Sequence, residues 1–228
     1  LNSEALREVG SPGDSFVAVA MHPDGSSFAT LAPSGTMRIW GTADGRELLT
    51  IRAPNAGGRQ SDLRVGVLAL AYSPDGRRLA GAGGGGAIGV YDAATGERLR
   101  RLDEGEVAVL SLAWSPDGSR LAAGLAGHAA RVWDVEAGRL APGPLERLGG
   151  PVAAVAVGPD GGTLATASLD GEVRLWTFDA EPRLLHVLRG HEGEVRALAY
   201  SPDGSRLASA GLDGTVRIWG VAAGAAEA

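Results

Sequence analysis

One turn recurs five times along this chain, with Pro-Asp-Gly at Pro23, Pro74, Pro116, Pro159 and Pro202. An aromatic follows each proline at the same offset of 17 residues: Trp40, Tyr91, Trp133, Trp176 and Trp219. Successive prolines are 51, 42, 43 and 43 residues apart. A fixed period of this size with a fixed internal offset marks a chain built from repeated supersecondary units. In each turn Pro presets φ, Asp caps the bend and Gly takes the strained position after it. A unit of about 43 residues cannot cover its own apolar faces, so the five units are expected to share one domain over residues 1–228.

Four residues before each Pro stand Val19, Leu70, Leu112, Val155 and Leu198, and the next residue is always Ala (Ala20, Ala71, Ala113, Ala156, Ala199). After each turn come Phe28, Leu79, Leu121, Leu164 and Leu207, again each followed by Ala. In a strand, neighbours in sequence point to opposite faces. Every unit therefore predicts a sheet with one bulky face and one small face, and successive sheets can stack bulky onto small. That packing defines an all-β fold: a β-propeller of five four-stranded blades, starting near residues 16, 67, 109, 152 and 195. Outer strands are read from the spacing Leu99-x-x-Leu102 and Leu185-x-x-Leu188, and Pro142 and Pro144 suit only a sheet edge. Residues 1–10 carry the same spacing in Leu6-x-x-Val9, whereas nothing after Trp219 resembles an outer strand. The expectation is that residues 1–10 pair with the last blade and close the ring. The longer first interval comes from an insertion, Ala53 to Arg64, rich in Gly, Asn and Gln.

Composition removes several kinds of chemistry. The chain has no Cys, and all 21 basic residues are Arg, which excludes thiolate and lysine nucleophiles, Cys-ligated metal and a phosphate-loop lysine within these residues. A net charge of −6 spread along the chain leaves no basic stripe, so no nucleic-acid partner is expected. No run is long and apolar enough to span a membrane, and none is expected as a partner. The start shows no signal-peptide pattern, and Leu1 suggests a processed form or a piece of something larger. The expected compartment is the cytoplasm, and the wealth of Ala, Gly and Arg suggests a GC-rich bacterial source.

With these residues in view, the chain resembles the WD-repeat β-propellers over almost its whole length. The Trp-Asp signature is strict only at Trp133-Asp134, with Tyr91-Asp92 close to it, and the opening Gly-His pair occurs only as Gly190-His191. The resemblance implies a hydrogen-bonded brace of His191, Ser209, Asp213 and Trp219 in the last unit. The fourth unit keeps Thr166, Asp170 and Trp176 without the His, and the other three keep less. Five units depart from the usual seven, so the ring either closes at five, as a monomer, or belongs to a longer array.

His191, Asp213 and Ser209 could also be read as a catalytic triad, but the brace explains all three. The Asp residues of the five turns are isolated carboxylates, suited to turn chemistry rather than a calcium site. Gly83 to Gly86 lacks the strand-to-helix setting of a phosphate loop and reads as a permissive hairpin. His128 takes the hairpin place of Gly171 and Gly214 and reads as an exposed loop residue. Arg38, Arg131, Arg174 and Arg217 lie two residues before a Trp and are expected to stack beside it.

The resemblance further implies that a protein or peptide docks on the face formed where each inner strand opens and where the second and third strands turn. By position, the candidate residues are Val17, Leu68, Leu110, Glu194 and Arg196 at the openings, and Pro33, Leu169 and Leu212 in the hairpins. The first reading is thus a non-catalytic protein-interaction scaffold or sensing module that needs no cofactor and no metal. An alternative is a structural segment of a larger propeller or of a multidomain bacterial signalling protein, assembling through unpaired edges. An enzyme with its site at the ring mouth is disfavoured, because almost no acids, His residues or metal ligands converge there.

Overall fold

The structure, a computed structural model, describes residues 8–10, 14–52, 69–83, 85–103, 105, 107–142, 145, 148–221 and 225–226. The chain forms five antiparallel sheets of four strands, in strict sequence order. The first holds β1 (Ala18–Met21), β2 (Ser27–Leu31), β3 (Thr36–Gly41) and β4 (Glu47–Arg52). The second holds β5 (Ala69–Tyr72), β6 (Arg78–Ala82), β7 (Ala87–Asp92) and β8 (Arg98–Asp103). The third consists of β9 (Val109–Trp114), β10 (Arg120–Leu125), β11 (Ala129–Asp134) and the short β12 (Arg139–Leu140). The fourth consists of β13 (Val152–Val157), β14 (Thr163–Ser168), β15 (Val173–Thr177) and β16 (Leu184–Leu188). The fifth is β17 (Val195–Tyr200), β18 (Arg206–Gly211), β19 (Val216–Gly220) and β20 (Ala225–Ala226). Ala53 to Arg64, read from sequence as an insertion, lies outside the described residues.

The first two strands of every sheet are joined by the recurrent turn, whose Asp is consumed locally. Asp203 accepts from the Ser201 hydroxyl at 2.6 Å, the Ser205 amide at 3.1 Å and the Ser205 hydroxyl at 2.9 Å. Asp75 and Asp117 repeat this with Ser73 and Ser115, each hydroxyl at 2.6 Å. The Ser201 hydroxyl leads the bonds that bring the Asp203 carboxyl down to about 2, and Ser73 and Ser115 lead the lowering at Asp75 and Asp117. A folded-state pKa below the ordinary value of about 3.9 adds stability that is complete above that value and disappears as pH falls through the folded value. The melting temperature should therefore drop between pH about 4 and about 2, and Asp203→Asn should flatten that slope. A melting curve indifferent to pH over this window would show that the turn carboxylates contribute nothing.

Between sheets the bulky-on-small rule is followed four times. Leu79 and Tyr91 of the second sheet pack on Ala29, Leu31, Met37 and Ile39 of the first. Leu121 and Trp133 of the third pack on Ala80, Ala82, Ile88 and Val90 of the second. Leu164 and Trp176 pack back on Ala122, Ala130 and Val132 in the same way, and Leu207 and Trp219 on Ala165, Ala167 and Leu175. Leu79, Leu121, Leu164 and Leu207 are all completely buried. The inner strands β1, β5, β9, β13 and β17 neighbour one another in that order, so the sheets are propeller-like blades arranged about their inner strands.

The ends of the array correct one expectation. The fourth place on the last sheet belongs to β20, which pairs Trp219 with Ala226 and Gly220 with Ala225. A strand that returns within a few residues closes a shorter loop than one brought from the far end of the chain, at a smaller entropic cost. Residues 1–7, which hold Leu6, lie outside the described residues. The segment after them turns onto its own first sheet: Phe16 meets Trp40 edge to face at 6.3 Å, and Asp14 pairs with Arg38 at 3.0 Å. Among the described residues, the bulky face of the first sheet and the small face of the last both keep exposed apolar side chains. Val19 is 68% exposed and Met21 60% at one end, and Val216 is 70% exposed at the other.

Candidate functional site

The strand directions put the inner-strand openings and the β2–β3, β6–β7, β10–β11, β14–β15 and β18–β19 hairpins at one end of the blades, and the Pro-Asp-Gly turns at the other. Backbone hydrogen bonds tie hairpin to opening within a blade. The Leu212 amide donates to the Glu194 carbonyl at 2.8 Å, Leu169 to Pro151 at 2.9 Å, and Ala126 to Ala108 at 2.9 Å. The two chain segments of that face are thus one surface in each of these blades, not independent loops.

Most sequence-predicted docking residues fall on this surface, though not as equals. Leu212 is 67% exposed and Val17 42%. Pro33 is exposed, Leu110 and Leu169 are half-buried, and Leu68 lies outside the described residues. Glu194 and Arg196 are brought together, with the Arg196 Nε donating to the Glu194 carboxylate at 2.9 Å and a second bond from its Nη2. They sit next to Leu212, through the Leu212–Glu194 backbone bond. The fifth blade therefore presents a large exposed leucine beside a charge pair.

Sequence reasoning missed why the opening position projects. The pairing of the inner strand with its neighbour shifts register between Val195 and Ala197, between Val152 and Ala154, and opposite Gly124/Leu125. Arg196, Ala153 and Leu110 are thus extra residues in β-bulges, and a bulge re-aims a side chain. His128 was read as an exposed hairpin residue, and it is one, with φ 61°, among the described residues the one non-glycine with positive φ. Gly35, Gly86, Gly171 and Gly214 hold the matching places with φ between 76° and 88°. Here an imidazole on the same face occupies a conformation that its neighbouring blades fill with Gly.

The predicted brace residues meet in the fifth blade. Trp219 Nε1 donates to Ser209 Oγ at 2.8 Å, Ser209 Oγ lies 2.8 Å from His191 Nε2, and His191 Nδ1 lies 2.8 Å from Asp213 Oδ2. Asp213 also accepts from the Glu192 amide at 3.0 Å and the Thr215 amide at 2.9 Å. Burial works against its charge, but the Thr215, Glu192 and His191 bonds together outweigh it and hold the carboxyl below the ordinary range. With Asp213 ionised, the proton belongs on His191 Nδ1, so Nε2 accepts from the Ser209 hydroxyl, whose oxygen accepts from Trp219. The relay direction is that of a nucleophilic triad. Its access is not: Ser209 is 1% exposed and the His191 side chain 0%.

The same Trp-to-hydroxyl bond, ten residues apart in sequence, occurs at Trp176–Thr166 (3.0 Å) and at Trp40–Thr30 (2.8 Å). The first blade was expected to keep less of the brace than the fourth, and a hydroxyl ten residues before the tryptophan, as in the fourth and fifth blades, was the signal that would have found Thr30. In the fourth blade Asp170 pairs with Arg174 at 3.0 Å instead of a histidine. The arginines two residues before a Trp form ion pairs at Arg38 and Arg174. Stacking on rings is performed by Arg78 over Trp114 at 5.0 Å and by Arg120 over Phe178 at 5.8 Å. These two reach the next blade and donate to the Gly118 carbonyl at 2.7 Å and the Phe178 carbonyl at 2.9 Å.

Among the described residues no three His, Cys, Asp or Glu side chains gather as metal ligands. A recess of about 400 Å³ lies at the opposite end, between the first and second blades, lined by His22, Tyr72, Asp75 and Leu48 among others. No helix of the described residues is long and apolar enough to cross a membrane.

Blades of four strands, stacked bulky on small and partly braced through a buried aromatic, define a repeat protein of the propeller-blade class. A family model for the WD domain, G-beta repeat, matches residues 96–134, 143–177 and 182–220, so the chain carries WD repeats at three positions, consistent with a WD-repeat family protein. The first and third matches open on the outer strand of one blade, β8 or β16, and end on the aromatic strand of the next. Each such repeat therefore links two blades covalently. WD repeats generally mediate protein–protein interaction and are generally non-enzymatic. Comparison with curated proteins gave no match.

Proposed function

We propose that this chain is a non-catalytic docking module that holds a peptide or protein segment on the face formed by the strand openings and hairpins. The observation that carries this reading is the exposed Leu212 beside the Glu194–Arg196 pair, on loops fixed to each other by backbone bonds. A rigid surface with an apolar anchor and an adjacent charge pair suits a partner that inserts an apolar side chain and reads charge at the rim. The buried Ser209–His191–Asp213 chain acts as a brace, because a nucleophile needs a path to solvent that this hydroxyl lacks.

The test begins with peptides selected by display against the immobilised chain. Leu212→Asp and Arg196→Glu should each weaken the selected peptides about tenfold or more, with melting temperature unchanged. Ala94→Asp, in a turn at the opposite end, should leave binding intact. Binding lost through Ala94→Asp but kept in the other two variants would move the site to the recess between the first and second blades.

A further inference from the structure

We infer that the recess between the first and second blades is a binding site for an arginine side chain carried by a segment of a partner protein. The inference uses none of the docking-face residues and stands whether or not a peptide binds there. Its template lies in the two following seams. Arg78 of the second blade lies over the Trp114 ring of the third at 5.0 Å and donates to the Gly118 carbonyl at 2.7 Å and to Glu136 at 3.2 Å. Arg120 of the third blade lies over the Phe178 ring of the fourth at 5.8 Å and donates to the Phe178 carbonyl at 2.9 Å. At both seams a guanidinium bridges from one sheet to the next.

Between the first and second blades the receiving half is present and the arginine is not. Ser27 stands at the distance from its turn proline that Arg78 and Arg120 keep from theirs. Across the seam Tyr72 holds the place of Trp114, Gly76 that of Gly118 and Ala94 that of Glu136. The second blade also has Ala93 where the third and fourth have the buried Val135 and Phe178. Two large side chains are thus replaced by small ones at a single seam, and Ser27, Tyr72, Gly76, Ala93 and Ala94 all line the space of about 400 Å³ that results. Where Thr163 replaces the arginine before the fifth blade, Val221 keeps the bulk at the place of Ala93 and packs on the core.

His22 takes part of the space, with Nε2 3.2 Å from the Gly76 carbonyl and its ring edge to face with Tyr72 at 5.1 Å. The remainder suits a guanidinium on an aliphatic stem. The Tyr72 hydroxyl is buried and lies near Ser27 without a formed hydrogen bond. Asp75 and Asp92 line the space and, among the described residues, bind their own turns through Oδ1 only, so Oδ2 of each can accept from a further donor. Ile39, Leu48 and Leu49 add apolar wall for the methylenes, and Arg77, the lining base besides His22, is exposed. A planar cation that stacks on a ring and donates to carboxylates from a fixed fork meets these groups better than an ammonium does.

The probe is the tripeptide acetyl-Gly-Arg-Gly-amide, titrated into the full chain and followed by NMR beside the same peptide carrying lysine or citrulline, the neutral isostere. Saturable shifts should centre on the Gly76 and Ala93 amides and the Tyr72 ring, with the lysine peptide about fivefold weaker and the citrulline peptide about tenfold weaker or more. Ser27→Arg supplies the seam with a guanidinium of its own, so it should abolish the response and raise the urea midpoint. Ala94→Glu, on the exposed rim, puts a carboxylate where Glu136 stands and should tighten the arginine peptide about twofold to threefold. Three results would each overturn the inference: no saturable shift at these groups up to millimolar arginine peptide, equal binding of the arginine and citrulline peptides, and parent-like binding by Ser27→Arg. Should Ser27→Arg fail to fold, arginine-peptide binding unchanged by Ala94→Glu overturns it instead.

Discussion

Replacing His191 with Ala should destabilise the last blade by about 3 kcal/mol, with the loss seen first in β17–β19. The side chain is completely buried and is the one link between Ser209 and Asp213. Its removal leaves the Ser209 hydroxyl without its acceptor, strips Asp213 of one of its partners and opens a cavity beside Trp219, whose ring lies 6.4 Å away. A buried hydroxyl left unsatisfied costs about 1–3 kcal/mol, and the cavity adds to it. In a repeat array each unit contacts only its neighbours, so the damage should remain local. Hydrogen exchange should show faster exchange at Ala208 to Ala210 while β9–β11 keep their protection, and urea unfolding should show the reduced midpoint. Ser209→Thr supplies the control. Thr30 and Thr166 make the same bond to their tryptophans, so this variant should keep most of the stability that Ser209→Ala loses. If His191→Ala melts like the parent, the four-residue chain of bonds is not a brace.

The blades were legible because their determinants are local. A turn sequence, an alternation of large and small residues and an aromatic at constant offset each act within a few residues. Each recurs, so a chance match in one unit is corrected by the other four. The stacking order was legible for the same reason: Leu121 next to Ala122 states which face is bulky, wherever the sheet goes. The ends were not. An open and a closed array require the same bulky and small faces, so Val19 and Ile218 read identically in both. β20 escaped because two alanines on a sheet edge carry no periodicity. The bulges at Leu110, Ala153 and Arg196 escaped because one extra residue in a strand resembles a shift of phase, which a period-two reading absorbs into the loop.

The docking face was legible as a set of positions but not as a surface with unequal parts. Position alone ranks Leu110, Leu169 and Leu212 alike. Packing separates them: Leu110 and Leu169 are half-buried, while Leu212 is 67% exposed.

At Gly124 the backbone of the third blade lies close to that of the fourth, and Gly124→Val should cost more than about 3 kcal/mol. A Cβ at this position would lie 2.5 Å from the Val152 carbonyl oxygen and 2.6 Å from Ser111 Oγ. The serine can rotate, but the carbonyl belongs to β13, which is held in its own sheet by pairing with β14. The only relief is to move the fourth blade away from the third, which loosens the contact of Leu164 and Trp176 with Ala122 and Ala130. Even Gly124→Ala should lose about 2 kcal/mol, although in a strand Ala is otherwise the better residue by about 0.5–1 kcal/mol. Gly81→Ala provides the contrast. Its Cβ would meet the Met37 sulfur at 2.5 Å, the far part of a flexible side chain that can swing aside, and the expected loss is below about 1 kcal/mol. Urea unfolding followed by tryptophan fluorescence should show Gly124→Val melting in two steps, because the first three blades and the last two are uncoupled at that seam. A single transition with unchanged midpoint would mean that the seam between the third and fourth blades does not depend on the missing side chain.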